Sequence, residues 1–132
     1  MTEHFHAIVW IDHAEAKVFH CNAEEADKLV LHADGSPRHH QHKANVHGAG
    51  HKGVDKEFFG RVADSLTHTG AILVVGPGNA RVEFKHFVTE HFPQLAQRIS
   101  GVEPLDHPTD NQLVALARKF FRADDLMNAQ VR

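Results

Sequence analysis

The sequence predicts a single α/β domain built on a mixed β-sheet with helices on both faces. Three short strand-like segments, joined by short connections, open the chain and favour an antiparallel meander. From residue 55 onward helical and strand-like patterns alternate, which is typical of strands connected by helices. The chain has 132 residues, of which 42% are hydrophobic and 23% are charged, and this suits one globular domain over residues 1–132.

The three opening strands are identified from runs of β-branched and aromatic residues bounded by polar ones. The first run, His6–Asp12, is almost continuously apolar, which predicts a strand covered on both faces. A turn at Asp12–Glu15 leads to the second strand, Ala16–Cys21, and the break at Asn22–Glu25 precedes the third, Lys28–His32. Because both connections are short, we expect all three strands to pair in antiparallel fashion.

Residues 34–53 interrupt this regular pattern. The segment contains four glycines and one proline, has few large apolar residues and shows no periodicity. A loop of this length inside a compact domain is uncommon and is usually functional or disordered. We therefore expect a mobile, histidine-rich loop here.

A first helix is predicted directly after this segment, with Asp55 as its N-cap and Gly70 at its end. Its apolar residues share one helical stripe: Phe58, Phe59, Val62, Ala63 and Leu66. The run Ala71–Val75 has no polar residue and predicts a buried central strand. A turn at Gly76–Asn79 then leads into a second helix.

The second half of the chain continues the alternation. The apolar residues available for the inner side of the second helix are Val82, Phe84, Phe87 and Val88. Pro93 interrupts that helix, and a weak fifth strand is expected at Ile99–Glu103. Thr109 and Gln112 match the capping box that opens a last helix. The apolar stripe of that helix is Leu113, Leu116, Ala117, Phe120 and Phe121. Residues 123–132 are expected to form a frayed C-terminal tail.

Charge, cysteine and hydropathy limit the classes of function. The 14 basic and 17 acidic side chains give a net charge of −3, which argues against a generic, strongly basic nucleic-acid coat. Cys21 is the only cysteine, so no internal disulfide or thiolate zinc cage can form, and the choice is between a buried inert thiol and a reactive Cys–His pair. No apolar run approaches ~20 residues and the N-terminus lacks signal-peptide features, so we expect a cytoplasmic protein with no membrane partner.

Four segments carry a resemblance to a known family. They read HAIVWIDHAEAKVFHC, FFGRVADSL, AILVVGPGNARVEFKHFV and ISGVEPLDHPTDNQLVALARKFF, and together they extend from about Phe5 to Phe121. In order and spacing they resemble the middle domain of eukaryotic and archaeal class I peptide-chain release factors and of the ribosome-rescue factor Pelota. They are also similar to small bacterial stand-alone versions called translational machinery proteins.

This resemblance implies a ribonuclease-H-like three-layer sandwich, with a five-stranded mixed sheet in the order 3-2-1-4-5. In the release factors, the loop between the third strand and the first helix carries a Gly-Gly-Gln tip that positions water on peptidyl-tRNA. Here Gly48-Ala49-Gly50 is followed by His51, and Gln41 is preceded by His40. Because the tip motif is absent, the resemblance carries over no peptide-release activity, and no catalytic residue is assigned. An enzyme is the less favoured interpretation.

One interpretation of segment 34–53 is contact with RNA. Arg38, Lys43 and Lys52 oppose a single carboxylate in the segment, which gives it a local charge of +2. These cations, together with backbone N–H groups at Gly48 and Gly50, would meet phosphate oxygens. The resemblance implies the ribosome or tRNA as the partner.

The alternative interpretation is a metal-binding or metal-sensing protein that uses the same segment. Five histidines fall within thirteen positions: His39, His40, His42, His47 and His51. Neutral imidazole is a common ligand for transition metals, and zinc or nickel would suit such a set. The sequence contains neither an HExxH motif nor a cysteine partner near these histidines. A cofactor is therefore possible but not required.

Two further candidates are weaker. Asp12, with Glu15 and Asp106 as companions, occupies a position that resembles that of a catalytic acid in ribonuclease-H-like nucleases, which gives an RNA or ester hydrolase as a third class. Gly76–Asn79 lies between a strand and a helix, where phosphate loops occur, but it lacks their glycine spacing and is interpreted as a structural turn. The favoured prediction is a non-catalytic, translation-associated module, and the sequence does not specify its oligomeric state.

Overall fold

The computed structural model describes residues 6–22, 24–33 and 55–131, with side chains as far as Arg122. Its strands are β1 His6–Ile11, β2 Glu15–Cys21, β3 Ala26–His32, β4 Ala71–Gly76 and β5 Ile99–Pro104. Its helices are α1 Lys56–Asp64, α2 Ala80–His91, α3 Pro93–Ala96 and α4 Asp110–Val131.

The five strands form one mixed sheet in the order β3-β2-β1-β4-β5. The strand pairs β1–β2 and β2–β3 are antiparallel, whereas β1–β4 and β4–β5 are parallel. This arrangement confirms the predicted α/β class and the sheet order that the resemblance implied. Strands β1, β3, β4 and β5 all point the same way, so the sheet has a carboxyl edge, where these four strands end, and an amino edge, where they begin.

Helices cover both faces of the sheet, which explains why β1 and β4 are almost free of polar residues. One face packs against α1, α2 and α3 through a core that includes Val9, Val74 and Phe84. The other face packs against α4 through a smaller core that includes Trp10 and Phe121. Because side chains alternate along a strand, β1 contributes to both cores, as its apolar run predicted.

The caps that the sequence predicted are formed. The Asp55 carboxylate accepts a hydrogen bond from the Phe58 N–H at 3.0 Å, as an N-cap should. At α4, the Gln112 N–H donates to the Thr109 hydroxyl at 3.1 Å, and the Thr109 N–H donates to the Gln112 side-chain oxygen at 2.9 Å. This reciprocal pair is a capping box, and it fixes the start of the last helix.

Two predicted details are wrong. Helix α1 ends at Asp64, with Ser65 as its C-cap, and not at Gly70, because the next residues form tighter turns that include Leu66 N–H to Ala63 carbonyl at 2.9 Å. Val82 is 42% exposed, since it lies about 200° around α2 from the buried Phe84. Helix α4 extends to Val131, in a stretch that contains neither glycine nor proline, and the frayed tail expected at residues 123–132 stays a prediction.

Within residues 6–22, 24–33 and 55–131, no helix combines the length and the apolar character that crossing a membrane requires.

Candidate functional site

The residues that the sequence analysis singled out as RNA contacts or metal ligands all lie outside the described residues. They are Arg38, His39, His40, His42, Lys43, His47, Gly48, Gly50, His51 and Lys52. Both interpretations of segment 34–53 therefore stay predictions. What the structure provides is the position of the residues on either side of the segment.

The residues before segment 34–53 are fixed at the carboxyl edge of the sheet. The Ala33 N–H donates to the carbonyl oxygen of Ala14, in the β1–β2 turn, at 2.8 Å. The Arg61 guanidinium of α1 donates to the carbonyl oxygen of His32 at 2.7 Å. The chain thus leaves the sheet beside the end of β1.

The residues after the segment return to the same edge. Helix α1 ends near the amino edge, because the His20 ring donates to the Ser65 carbonyl oxygen at 2.9 Å and His20 lies next to the last residue of β2. The N-cap of α1, Asp55, therefore lies toward the carboxyl edge. Ala33 and Asp55, the described residues on either side of segment 34–53, therefore lie on one side of the domain.

The described surface around these two ends is rich in carboxylates. Asp12 follows β1, Asp106 follows β5, and Glu83 of α2 contacts the His13 ring at 2.8 Å. Two cations near this edge already have partners. Arg61 binds the His32 carbonyl oxygen, and Arg81 donates to the carbonyl oxygen of Gly78. Lys17 of β2 lies against the Trp10 ring, and Lys56, directly after Asp55, is an exposed cation at this edge.

The carboxylates of the hydrolase hypothesis do not converge. The Asp12 carboxylate accepts hydrogen bonds from the N–H groups of Ala14 and Glu15, both at 2.8 Å, so it stabilises the turn after β1. In the described ranges, no three histidine, cysteine, aspartate or glutamate side chains form a group that could hold a metal ion. Asp12, Glu15 and Asp106 thus offer no two-metal nuclease site.

Trp10 links β1 to the chain that follows β5. Its indole N–H donates to the carbonyl oxygen of Asp106 at 2.6 Å, and its ring lies 5.2 Å from that of His107. The Lys17 ammonium lies 5.4 Å from the Trp10 ring on the neighbouring strand. Trp10 is only 2% exposed, so its ring is not open to a ligand. Its contacts instead hold the connection between β5 and α4 in place.

The turn Gly76–Asn79 is structural, as its sequence indicated. A Cβ atom at Gly76 would collide with the carbonyl oxygen of Ile11, so only glycine allows β4 to pass this close to β1. The Gly76 carbonyl oxygen also accepts a hydrogen bond from the Leu105 N–H at 2.8 Å. The turn therefore serves the close packing of three strand ends.

Cys21 is a buried thiol, which is the simpler of its two predicted roles. It is 2% exposed, and burial raises the pKa of the Cys21 thiol above its ordinary value, while the nearby Arg118 lowers it by a smaller amount. The adjacent His20 belongs to the opposite face of the sheet and binds Ser65. The sequence-adjacent pair Cys21 and His20 thus does not form a reactive couple.

A cationic cavity, which we call the amino-edge pocket, lies where α4 passes the start of β1 and the end of β2. It has a volume of about 260 Å³ and is lined by residues that include His6, Cys21, Asn22, Arg118, Phe121 and Arg122. The His6 and Phe121 rings stack with centroids 4.4 Å apart, and Arg118 Nε donates to the Asn22 carbonyl oxygen at 3.3 Å. These contacts hold the floor and one wall of the pocket in place.

Sequence reasoning missed this pocket. From the sequence, Arg118 and Arg122 would be placed at the end of the predicted last helix, where basic residues favour its C-terminal dipole, but the helix continues to Val131 and has no basic residue in its last turn. Their spacing of four residues, which places both side chains on one helix face, was the available signal. What it could not indicate was that this face lies beside His6 and Cys21.

A second cavity, of about 400 Å³, lies between the end of α2 and α3, where Phe92 and Arg98 contribute to its lining. Arg98 Nη1 donates to the carbonyl oxygens of Thr67 at 2.9 Å and Thr69 at 3.2 Å. The guanidinium therefore fastens the connection between α1 and β4. We assign this cavity no ligand.

Comparison with known proteins rests on structure. No family model and no curated protein sequence matches the chain. Pelota from Archaeoglobus fulgidus matches with a TM-score of 0.61 and 16% identity, over 89% of this chain and 32% of that one. Pelota from Thermoplasma acidophilum matches with a TM-score of 0.57 and 18% identity, over 84% of this chain and 30% of that one. The archaeal translation termination factor aRF1 matches with a TM-score of 0.56 and 14% identity, over 96% and 41%.

The chain thus spans 30–41% of the length of these three proteins, and identities of 14–18% establish a common fold rather than a common activity. The sequence resemblance is confirmed at that level. The protein has the fold of one part of Pelota and of the archaeal translation termination factor.

Proposed function

We propose that the protein is a non-catalytic, translation-associated module that binds ribosomal RNA or tRNA through segment 34–53. The observation that carries this proposal is the shared fold with Pelota and an archaeal translation termination factor. The position of Ala33 and Asp55 supports it, since these two described residues on either side of the segment both lie at the carboxyl edge of the sheet.

The distribution of charge also supports phosphate contact through the cations of segment 34–53. The described part of the carboxyl edge carries Asp12, Glu83 and Asp106, and phosphate is repelled by carboxylates. Arg38, Lys43 and Lys52 would add positive charge to an edge where Lys56 is the exposed cation beside Asp55. Each of them would neutralise one phosphate and release counterions on binding, so the association is expected to weaken as salt rises.

Co-sedimentation with ribosomes, measured between about 50 and 200 mM salt, tests this proposal. The variant Lys43→Gln/Lys52→Gln is expected to bind more weakly, with a slope of log affinity against log salt that is shallower by about 2. Adding Arg38→Gln should reduce the slope further. The matched control Lys85→Gln/Lys119→Gln removes the same charge from two exposed helix positions and should bind as the parent does. Absence of co-sedimentation at the lowest salt would refute the proposal.

Metal binding by the same segment is the second candidate, and the density of histidine favours it. Protein purified without a histidine tag would then contain zinc or nickel in stoichiometric amount and would lose it in the variant His39→Ala/His40→Ala/His42→Ala. The control His68→Ala/His86→Ala removes two exposed histidines elsewhere and should retain the metal. Metal-free protein with micromolar or weaker affinity for both ions would exclude this candidate.

A further inference from the structure

The amino-edge pocket is lined by side chains that donate hydrogen bonds, and its described lining contains no negatively charged side chain. Among the residues that the structure describes, no carboxylate lines it. Arg118 uses only Nε, on the Asn22 carbonyl oxygen, so its two Nη groups make no hydrogen bond within the described part of the chain. The Arg122 side chain likewise has no ion pair or hydrogen bond there. The cavity is therefore built for a ligand that accepts hydrogen bonds.

Asn22 adds further donors at the rim. Its side-chain oxygen accepts hydrogen bonds from the N–H groups of Glu24 at 2.9 Å and Glu25 at 2.8 Å. This fixes the orientation of the amide, and the NH₂ group is left to donate elsewhere. Cys21 adds no negative charge to the pocket at neutral pH, because an ordinary thiol is protonated there and burial raises the pKa of the Cys21 thiol further. Both features favour an anion over a cation or a neutral ligand.

The charge of the pocket selects the kind of anion. Arg118 and Arg122 are four residues apart on one face of α4, and guanidinium groups bind carboxylate or phosphate in bidentate geometry. A phosphate monoester carries close to two negative charges at neutral pH, so it can pair with both arginines, whereas a carboxylate can neutralise only one. The stacked rings of His6 and Phe121 supply an aromatic wall against which the carbon part of the ester can pack.

We propose that the amino-edge pocket binds the phosphate group of a phosphate monoester. Its volume of about 260 Å³ is slightly below the range of about 300–1,000 Å³ for pockets that enclose drug-sized ligands, which suits a phosphate with a small attached group. The same group occurs in free mononucleotides and at the 5′ end of an RNA strand. The inference does not rest on the proposed function, because the pocket lies at the amino edge of the sheet, whereas Ala33 and Asp55 lie at the carboxyl edge.

Isothermal titration calorimetry on the full chain tests this site, with inorganic phosphate, AMP, and a short oligoribonucleotide with or without a 5′-phosphate. The parent protein is expected to bind AMP or the 5′-phosphorylated oligonucleotide, and which of the two binds more tightly identifies the source. The variant Arg122→Gln should raise Kd by about tenfold or more, because one charged hydrogen-bonding group is lost. The variant Arg118→Gln should have a similar effect.

Lys119→Gln is the matched control, since it removes one positive charge from the exposed position of α4 directly after Arg118 and Lys119 does not line the pocket. It should change Kd by less than about twofold. Arg122 has no partner in the described part of the chain, so Arg122→Gln is expected to fold even if Arg118→Gln loses stability with its bond to Asn22.

Three results would overturn the proposal. They are no heat of binding with any phosphate probe up to about 10 mM, an equal loss in Lys119→Gln and Arg122→Gln, and binding of acetate as tight as that of inorganic phosphate. Ribosome co-sedimentation of Arg122→Gln separates this site from the proposed function. Co-sedimentation at the parent level, together with weakened binding of the phosphate probe, supports two independent sites.

Discussion

Replacing Gly76 by alanine provides the sharpest test of how the sheet is packed at its carboxyl edge. The added Cβ would overlap the backbone carbonyl oxygen of Ile11, the last residue of β1. Neither backbone can move independently, because β1 and β4 are paired in parallel from His6 and Ala71 to Trp10 and Val75. Relief of the overlap therefore requires a shift of the strand ends.

Overpacking of this kind costs about 1–3 kcal/mol in the free energy of unfolding, and a contact between two backbones belongs at the upper end, at about 2–3 kcal/mol. For a chain of this size, about 4 °C per kcal/mol gives a decrease in Tm of about 8–12 °C. Gly78→Ala is the matched control, since a Cβ there meets nothing within 4 Å. It should change stability by less than about 0.5 kcal/mol.

Urea denaturation followed by circular dichroism measures both variants under the same conditions. If Gly76→Ala loses less than about 1 kcal/mol, or no more than Gly78→Ala does, the close approach of β4 to Ile11 does not constrain residue 76 and the reasoning fails. Titration with inorganic phosphate provides a second check on the turn. If the turn has only a structural role, neither Gly76→Ala nor Gly78→Ala should change the Kd for phosphate.

Three further predictions concern α1, α4 and the buried thiol. Gly60→Ala should stabilise the protein by about 0.8–1 kcal/mol, since a Cβ within α1 meets nothing there, and a loss of stability would contradict that open space. Thr109→Ala should lower the free energy of unfolding by about 1 kcal/mol and Thr109→Ser should not; equal losses would mean that the capping hydroxyl contributes little. Cys21 should react with iodoacetamide at pH 8 far more slowly in the folded protein than in urea, and equal rates would be inconsistent with its burial. Because the pKa of Cys21 is raised on folding, its contribution to stability is present below the ordinary thiol pKa and is lost as pH rises through the raised value.

Sequence analysis was most accurate where neighbouring residues determine the structure. The continuous apolar run of β1 required helices on both faces, and the sheet has them. The capping box of Thr109 and Gln112 was recognised from two residues three positions apart, because its hydrogen bonds close within a single turn. Periodicity and capping are local properties, so a single sequence contains them.

The predictions that failed involved competition between local signals and packing. Gly70 is a good helix terminator, yet α1 ends at Asp64 because the following turns bring Leu66 into the core and lead to β4. Val82 is apolar, but the orientation of α2 is set by Phe84, Phe87 and Val88 together, and this turns Val82 outward. The local preference of one residue is outweighed when a different arrangement lets several other residues bury more apolar surface.

What the sequence alone determined is the set of strands and helices, the caps at Asp55 and Thr109, and the absence of a Gly-Gly-Gln tip. Only the tertiary structure decided which distant residues meet. Trp10 binds the carbonyl oxygen of Asp106, 96 positions away, and Arg118 reaches Asn22 across the same separation to form the amino-edge pocket. Such contacts follow from the order of strands in the sheet and from the path of α4 across it, and no local pattern of residues contains that information.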